Sequence, residues 1–296
     1  MTQLRRGLML SVAVVLATAV ACGTDSSDSS SPTTVNESDA PQSIVSLAPV
    51  ATEMLFAVGA GDQVVAVDEQ SNYPEEAPRT TLSGYTPNVE AVLGYDPDLV
   101  VTTEQSDDLI SGLEAANVQV LVLPAAKSLD DVYSQIEQVG AATGHVGEAA
   151  ELVSQMQTDI DAVVSQLPER DEPLTYFQEL DETFYTVTND TFVGSIYSML
   201  GLTSIAEGSD PYPQLSAEYI LDANPDIIFL ADAQCCGVTA ESVAQRPGWS
   251  ELTAVQEGRV YVLDADIASR WGPRVVELVR QVGTISASIP VTVSNP

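Results

Sequence analysis

The sequence predicts an α/β protein of two Rossmann-like lobes with parallel sheets, joined by one long backbone helix, with a ligand cleft between the lobes. Three observations predict this fold class. Short apolar runs alternate with segments of helical periodicity, which is typical of parallel sheets covered by helices. One long segment keeps the helical period without interruption. A short pattern in the first half of the chain returns in the second half.

The first lobe is predicted over residues 43–144, where strand-like and helix-like segments alternate four times. Gly59 and Gly61 end the first helix, and Ser128 is placed to cap the last one. The predicted strands are residues 44–47, 64–67, 99–101 and 118–123, and the predicted helices are residues 51–58, 89–93, 108–116 and 128–139.

The linking helix is predicted over residues 145–168. Its apolar residues recur mostly every three or four positions, and Pro168 and Pro173 end the pattern. A helix over residues 146–167 is roughly 33 Å long, which is enough to cross a whole domain.

The second lobe is predicted over residues 169–296, and an internal repeat relates it to the first. Residues 90–100 read Glu-Ala-Val-Leu-Gly-Tyr-Asp-Pro-Asp-Leu-Val, and residues 218–228 read Glu-Tyr-Ile-Leu-Asp-Ala-Asn-Pro-Asp-Ile-Ile. Each copy is a short helix that begins near a glutamate, a proline that stops it, and then a buried strand. Other elements expected here are strands at 174–180, 227–230 and 260–263, helices at 192–200 and 218–223, and a final helix after Pro273.

The N-terminus predicts export. Arg5 and Arg6 precede an apolar run that stops at Cys22, so residues 1–21 have the organisation of a signal peptide. The run is too short for a transmembrane anchor. Residues 19–22, Ala-Val-Ala-Cys, resemble the lipobox of bacterial lipoproteins, although that family usually has leucine at the first position. The resemblance implies a lipid on Cys22; ordinary secretion is the alternative. Residues 22–42 are mostly Ser, Thr, Asp, Asn and Pro, which predicts a disordered tether.

The charge balance excludes several functions. The formal net charge is −33, and removal of the signal peptide takes away two arginines and no acids, which gives −35. Such a surface repels nucleic acids and anionic lipids, so neither is expected as a partner. The simplest interpretation of the acidity is solubility or adaptation to salt.

The cysteine and histidine contents limit the metal chemistry. Apart from Cys22, the cysteines are the neighbours Cys235 and Cys236. In an exported protein we favour a vicinal disulfide between them, with two reduced thiols as the alternative. His145 is the only histidine, so a protein-built zinc or haem-iron site with imidazole ligands is not expected. We expect neither a resident metal nor a cofactor.

Several motifs in order resemble the helical-backbone (class III) periplasmic binding proteins, which serve ABC importers of ferric siderophores, haem and cobalamin. The resemblance covers residues 43–289. It implies two lobes, a rigid linking helix and a monomer. The residues that carry it are Ser46, Pro49, Thr52, Glu53, Ala57 and Gly59, the Tyr73-Pro74 pair, residues 87–90 and 97–100, Arg259 to Leu263, and Gly272 to Arg274.

The resemblance gives the repeated glutamates a role. In this family one glutamate on each lobe docks against arginines of the permease subunits, and Glu90 and Glu218 stand at the matching positions. The alternative is that both are only helix-start acids, which interact favourably with the helix dipole.

The ligand cleft is expected to be built from loops at the carboxyl ends of the strands. We expect aromatic walls and an arginine that meets a negative charge of the ligand. Because the mature chain has only eight basic residues, a neutral or weakly charged ligand is favoured, such as cobalamin or a hydroxamate chelate; haem, held by tyrosine, is the alternative. The candidate ligand-binding residues are Tyr73, Tyr85, Glu104, Tyr176, Tyr185, Arg270 and Trp271.

The sequence therefore predicts a solute-binding lipoprotein, anchored outside the cell membrane, that captures a metal chelate for an ABC importer. An exported hydrolase that uses only Asp and Glu is one alternative, although no GxSxG, HExxH or phosphate-loop motif is present. A structural or adhesive surface lipoprotein is the other.

Overall fold

A computed structural model describes residues 40–103 and 106–291, and it confirms the predicted fold class. Two four-stranded parallel sheets form the centres of two lobes, with the strand orders β2-β1-β3-β4 and β6-β5-β7-β8. The predicted signal peptide, Cys22, most of the predicted tether and Glu104 lie outside the described residues. In the part of the chain that is described, none of the helices has both the length and the apolar composition that spanning a bilayer would require.

The first lobe follows the predicted alternation closely. Its last helix has the capping box that Ser128 predicts, because Ser128 and Asp131 exchange side-chain to backbone hydrogen bonds. That helix ends at Gly144, which adopts a left-handed conformation with φ 84°. The strands are β1 (Ile44–Ser46), β2 (Val64–Val67), β3 (Leu99–Thr102) and β4 (Gln119–Val122), and the helices are α1 (Pro49–Ala57), α2 (Val89–Leu93), α3 (Asp107–Ala115) and α4 (Leu129–Thr143).

The linking helix, α5 (Val146–Val164), is 19 residues long and ends three residues before the predicted end. Pro168 explains the difference, because a proline ring clashes with the carbonyl group four residues earlier and disfavours helical geometry in the residue before it. His145 occupies the position before the first helical residue.

The second lobe contains elements that the sequence analysis missed. Strand β6 has no apolar run, and several helices of four or five residues do not complete two helical turns. The predicted cysteine loop is one of these helices, α8. The strands are β5 (Leu174–Glu179), β6 (Leu202–Ser204), β7 (Ile227–Leu230) and β8 (Val260–Val262), and the helices are α6 (Phe192–Met199), α7 (Ala217–Ala223), α8 (Ala233–Cys236), α9 (Ala240–Ala244), α10 (Thr253–Gln256), α11 (Ala265–Ser269) and α12 (Val275–Ser288).

The repeat has the same structure in both lobes. Asn88 and Ser216 cap the two short helices, α2 and α7, with their side-chain oxygens. The aspartates that follow the two prolines also act alike. Asp98 accepts the backbone N–H of Ser43 at the start of β1, and Asp226 accepts that of Thr175 in β5. Each carboxylate thus fixes the start of the neighbouring strand.

One apolar core extends through both lobes. It contains buried residues of both sheets together with residues of α1, α4, α5, α6 and α12. Each sheet also has one smaller apolar cluster on its outer face. Helices α4 and α12 both pack against α5. Separating the lobes would therefore expose apolar surface, which costs about 25 cal/mol per Å².

A buried ionic cluster crosses the junction between the lobes. Glu53 on α1 of the first lobe is only 3% exposed. Its carboxylate binds Arg274 at 2.6 and 3.1 Å and Arg270 at 3.2 Å, and both arginines belong to the second lobe. A Cβ on Gly272 would lie 2.8 Å from Glu53 Oε2, so glycine allows the chain to pass close to the carboxylate.

Neighbouring side chains extend this junction. Asn72, in the loop after β2, donates to Asp266 of α11 at 2.6 Å and accepts from Arg270 at 2.8 Å. Trp271 donates its indole N–H to Gln135 of α4 at 3.1 Å. The two lobes are therefore held together by polar contacts as well as by the shared core.

We expect Glu53→Gln to lower the free energy of unfolding by roughly 3 kcal/mol, because it leaves two largely buried arginines without their acid. Urea denaturation measures the change. Asp159→Asn is the matched control, since it breaks the solvent-exposed ion pair with Arg280 and is expected to cost less than about 1 kcal/mol. Equal losses in the two variants would contradict a special role for the buried cluster.

Candidate functional site

The carboxyl ends of the two sheets meet at the junction between the lobes. The loop after β2 carries Gln70 and Asn72, and the segment after β8 carries Asp266 and Arg270. Asn72 contacts Asp266 and Arg270, and the carbonyl of Gln70 accepts from Arg270 at 3.4 Å. In parallel sheets the crevice at the carboxyl ends of the strands is the usual ligand site. This edge is therefore the candidate binding cleft.

Tyr85 is the most exposed aromatic residue on the first lobe's side of the cleft. It lies in the long loop between β2 and α2, and its side chain is 89% exposed. The preceding residue, Gly84, packs so closely on the end of β1 that a Cβ there would overlap the carbonyl oxygen of Leu47. Glycine thus lets the loop pass under Tyr85 and leaves the ring accessible.

Two more exposed tyrosines, Tyr185 and Tyr212, lie on the second lobe. Tyr185 follows the carboxyl end of β5, where its carbonyl accepts from Leu180 N at 3.0 Å. The segment that follows it runs beside residues 211–214, with backbone hydrogen bonds from Thr186 and Thr188. Tyr212 is half-exposed on that second segment. The sequence analysis missed Tyr212; its signal is a tyrosine between two prolines, Pro211 and Pro213.

Tyr176 was predicted to line the cleft, and the structure contradicts that prediction. Its side chain is completely buried in β5, with its ring edge-to-face against Tyr197 at 4.8 Å between centroids. Burial raises the pKa of its hydroxyl group. A strand in the middle of a parallel sheet is covered on both faces, so a ligand has no access to this side chain.

The other predicted residues occupy different surroundings. Arg270 is occupied by Glu53, Asp266 and Asn72, so its guanidinium already has partners within the protein. Trp271 is half-buried at the junction with Gln135. Tyr73 is half-exposed, but its ring stacks on Arg274 at 4.2 Å and lines a groove of about 400 Å³ beside α1, α5 and α12.

The predicted cysteine pair is joined as a vicinal disulfide. Cys235 and Cys236 form the end of α8, which follows the carboxyl end of β7, and both residues are exposed. This places the disulfide on the cleft edge of the second sheet. In the described residues no group of three or more His, Cys, Asp or Glu side chains is arranged to hold a metal ion.

A buried acid pair lies beneath the cysteine turn. Glu179, at the end of β5, is fully buried and binds Arg246 through two hydrogen bonds of 2.5 and 2.6 Å. Asp232 precedes α8 and is 1% exposed, and neither carboxylate oxygen has a hydrogen-bond partner. Burial, and then the charge of Glu179, raise the pKa of Asp232 to about 6. Above that pH the cluster holds an uncompensated buried charge.

We expect Asp232→Asn to change how stability depends on pH. Because the pKa of Asp232 is about 6 in the folded state and about 3.9 in the unfolded chain, its carboxyl group lowers stability progressively between pH 4 and 6 and by a constant amount above. The variant should therefore gain up to roughly 3 kcal/mol relative to the native protein between pH 4 and pH 7.5. Urea denaturation at several pH values measures this gain.

Asp181→Asn is a control of opposite sign. The hydroxyl group of Thr183, by donating to the carboxylate, lowers the pKa of Asp181. Its charge therefore contributes stability that is nearly complete above the unfolded pKa of about 3.9, so the variant should be less stable than the native protein by an amount that changes little between pH 4 and 7.5. A difference between Asp232→Asn and the native protein that stays constant from pH 4 to 7.5 would contradict the raised pKa.

Comparison with known proteins identifies one family. The model of the family described as "Periplasmic binding protein" matches residues 44–267. An uncharacterised ABC transporter substrate-binding lipoprotein of Bacillus subtilis, YvrC, is 36% identical over 251 residues, which cover 82% of this chain and 79% of the relative. The cobalamin-binding protein of Halobacterium salinarum is 31% identical over 253 residues, with coverage of 80% and 67%.

A solved structure gives the same result. The crystal structure of the periplasmic vitamin B12 binding protein BtuF of Vibrio cholerae superposes with a TM-score of 0.66 at 29% identity, and the match covers 83% of this chain and 96% of that one. These relatives are binding proteins and not enzymes, so the alternative of an exported hydrolase is set aside. The chain belongs to the periplasmic binding protein family and is an extracytoplasmic substrate-binding protein of an ABC transporter.

Proposed function

We propose that this protein captures cobalamin, or another metal chelate of little net charge, in the cleft between its lobes and delivers it to the permease of an ABC importer. The observation that carries the proposal is a cleft edge with exposed tyrosines on both lobes, where Arg246, Arg270 and Arg274 are already paired with internal acids. Tyr85 stands on the first lobe, and Tyr185 and Tyr212 stand on the second.

The charge distribution supports a ligand of low charge. Arg246, Arg270 and Arg274 pair with buried carboxylates, and Arg280 pairs with Asp159. Arg170 donates to three backbone carbonyl groups near the end of α12. A tri-anionic catecholate chelate would need free cations in the cleft. Cobalamin is an extended ring system with amide-bearing edges and little net charge, and tyrosine rings and hydroxyl groups match both of these features.

Ferric hydroxamate chelates and haem are the competing ligands. A ferric hydroxamate chelate also has little net charge, so the pairing of the arginines does not disfavour it. Haem carries two carboxylates, and because His145 starts the linking helix, a tyrosine would have to serve as its axial ligand. The cobalamin-binding relatives favour cobalamin among the three.

We expect cyanocobalamin to bind at sub-micromolar concentration, and Tyr85→Ala and Tyr212→Ala each to weaken binding about tenfold through loss of an aromatic wall. Equilibrium dialysis measures the dissociation constant without interference from the ligand's colour. Tyr95→Ala is the matched control, because Tyr95 is also half-exposed but precedes β3, at the amino end of the sheet.

The competing ligands are tested in the same assay with ferrioxamine B and haemin. If one of these binds and cyanocobalamin does not, that compound represents the ligand class in place of cobalamin. No saturable binding of any of the three would contradict the proposed function.

We further propose that Glu90 and Glu218 dock the protein on arginines of the permease. Both carboxylates are exposed, and both stand at the second position of a short helix, α2 in one lobe and α7 in the other. Two separated carboxylates that meet two arginine sites would fix the orientation of the protein on the importer as well as its register.

We expect the double variant Glu90→Gln/Glu218→Gln to lower uptake of labelled cobalamin through the protein's own importer at least tenfold, with unchanged ligand affinity. The matched control is Asp130→Asn/Glu241→Gln, since these acids also occupy the second position of a helix, one in each lobe, and are exposed. An equal loss in the control would show that the acids act only on their helices.

The anchor belongs to the same proposal. Exported through residues 1–21, the chain would carry a lipid on Cys22 and hold the binding domain near the importer by residues 22–42. The relative YvrC is a lipoprotein, which supports this arrangement. The mass of the mature N-terminal peptide tests it: a diacylglyceryl-modified Cys22 is expected, and an unmodified N-terminus would contradict the anchor.

A further inference from the structure

The disulfide turn has little packing of its own. Helix α8 is only four residues long and has no buried residue. Its backbone is closed by two hydrogen bonds, from Cys236 N to the carbonyl of Asp232 at 3.0 Å and from Gly237 N to that of Ala233 at 2.9 Å. A turn with so few contacts has a low cost of local opening. The bond between Cys235 and Cys236 is therefore a main constraint on its shape.

One side chain connects this turn to the next loop of the sheet edge. Gln234, the residue before the pair, donates to Asp264 at 3.2 Å and accepts from the backbone N–H of Ala265 at 2.9 Å. Asp264 in turn caps α11 by accepting from the backbone N–H groups of Asp266 and Ile267 at 2.9 and 3.1 Å. The side chain of Gln234 therefore connects the cysteine turn to the start of α11.

Helix α11 leads directly to the junction between the lobes. Asp266 accepts from Asn72 of the first lobe and pairs with Arg270, which also binds Asn72 and Glu53. A continuous set of hydrogen bonds thus connects the disulfide turn with the first lobe along the cleft edge. The exposed residues Cys235 and Cys236 stand at this edge, and sulfur offers a polarisable apolar surface to a flat ligand.

We propose that the Cys235–Cys236 turn is part of the ligand-contacting surface of the second lobe, and that the disulfide fixes the turn and the adjoining α11, so that the oxidised protein binds its chelate more tightly than the reduced protein. The inference rests on the proposed function. Reduction breaks the S–S bond and forms two thiols. A dithiol such as dithiothreitol supplies the two electrons and two protons and becomes a cyclic disulfide.

The first test compares the affinity for cyanocobalamin in two redox states. The dissociation constant is measured by equilibrium dialysis on oxidised protein, and on protein reduced with dithiothreitol and desalted without oxygen. Reduction should weaken binding about tenfold, as should the double variant Cys235→Ser/Cys236→Ser, whose affinity should not respond to dithiothreitol. Equal affinity in both redox states would overturn the proposal.

The second test asks whether the ligand covers the sulfur atoms. Saturating cyanocobalamin should slow reduction of the disulfide at least fivefold, measured by alkylation of the released thiols and mass spectrometry. Cyanocobalamin that binds without slowing reduction would place the turn outside the ligand-contacting surface and overturn that part.

A third measurement needs no ligand and keeps this inference separate from the proposed function. Reduction should speed hydrogen–deuterium exchange in residues 264–270, and Gln234→Ala should do the same with the disulfide intact. If cyanocobalamin does not bind even the oxidised protein, the proposed cobalamin function fails. The exchange measurement still tests whether the disulfide turn is coupled to α11. Unchanged exchange in residues 264–270 after reduction would overturn it.

Discussion

The buried carboxylate of Glu53 sets the relation between the lobes. A charge that is 3% exposed is tolerated only with close counter-ions, and both of its arginines come from the other lobe. Opening the junction would leave Glu53 and Arg274 without an ionic partner, while Arg270 would keep only Asp266. Together with the core that continues through α5, this requirement gives the protein a cleft whose width is largely set before a ligand arrives. A preformed site loses less conformational entropy on binding.

The distribution of the arginines links this constraint to function. The chain carries 43 acidic and 10 basic residues, and Arg246, Arg270 and Arg274 pair with internal acids. The surface that remains is acidic, and Tyr85, Tyr185 and Tyr212 are exposed at the cleft edge. Such a surface suits a ligand without strong negative charge and a permease that offers arginines. The same acidic surface repels nucleic acids and anionic lipids.

The two lobes are built on one plan, and the plan explains why the acids of the repeat occupy equivalent positions in both lobes. Asp98 and Asp226 fix the start of the neighbouring strands, while Glu90 and Glu218 stay exposed in the first turn of the short helices. The second lobe differs by carrying the acid pair of Glu179 and Asp232 and, above it, the cysteine turn. The features without a counterpart in the first lobe therefore lie on the cleft edge.

The sequence by itself determined the features that depend on neighbouring residues. The alternation of strands and helices, the capping box at Ser128, the repeat and the adjacency of Cys235 and Cys236 all follow from contacts within a few positions. The end of α5 was misplaced only because the effect of Pro168 reaches back four residues. Strand β6 was missed because its sequence, Leu-Thr-Ser, contains one apolar residue and so no apolar run.

Only the tertiary structure decided which side chains are free to act. Tyr176 lies within β5 and Tyr185 in the segment that follows it, yet the first is buried against Tyr197 and Phe229 and the second is exposed. Arg270 had the right chemistry for a ligand, but Glu53, 217 positions earlier, already binds it. Accessibility and ion pairing depend on residues that are distant in the chain, and no local pattern records which of them will meet.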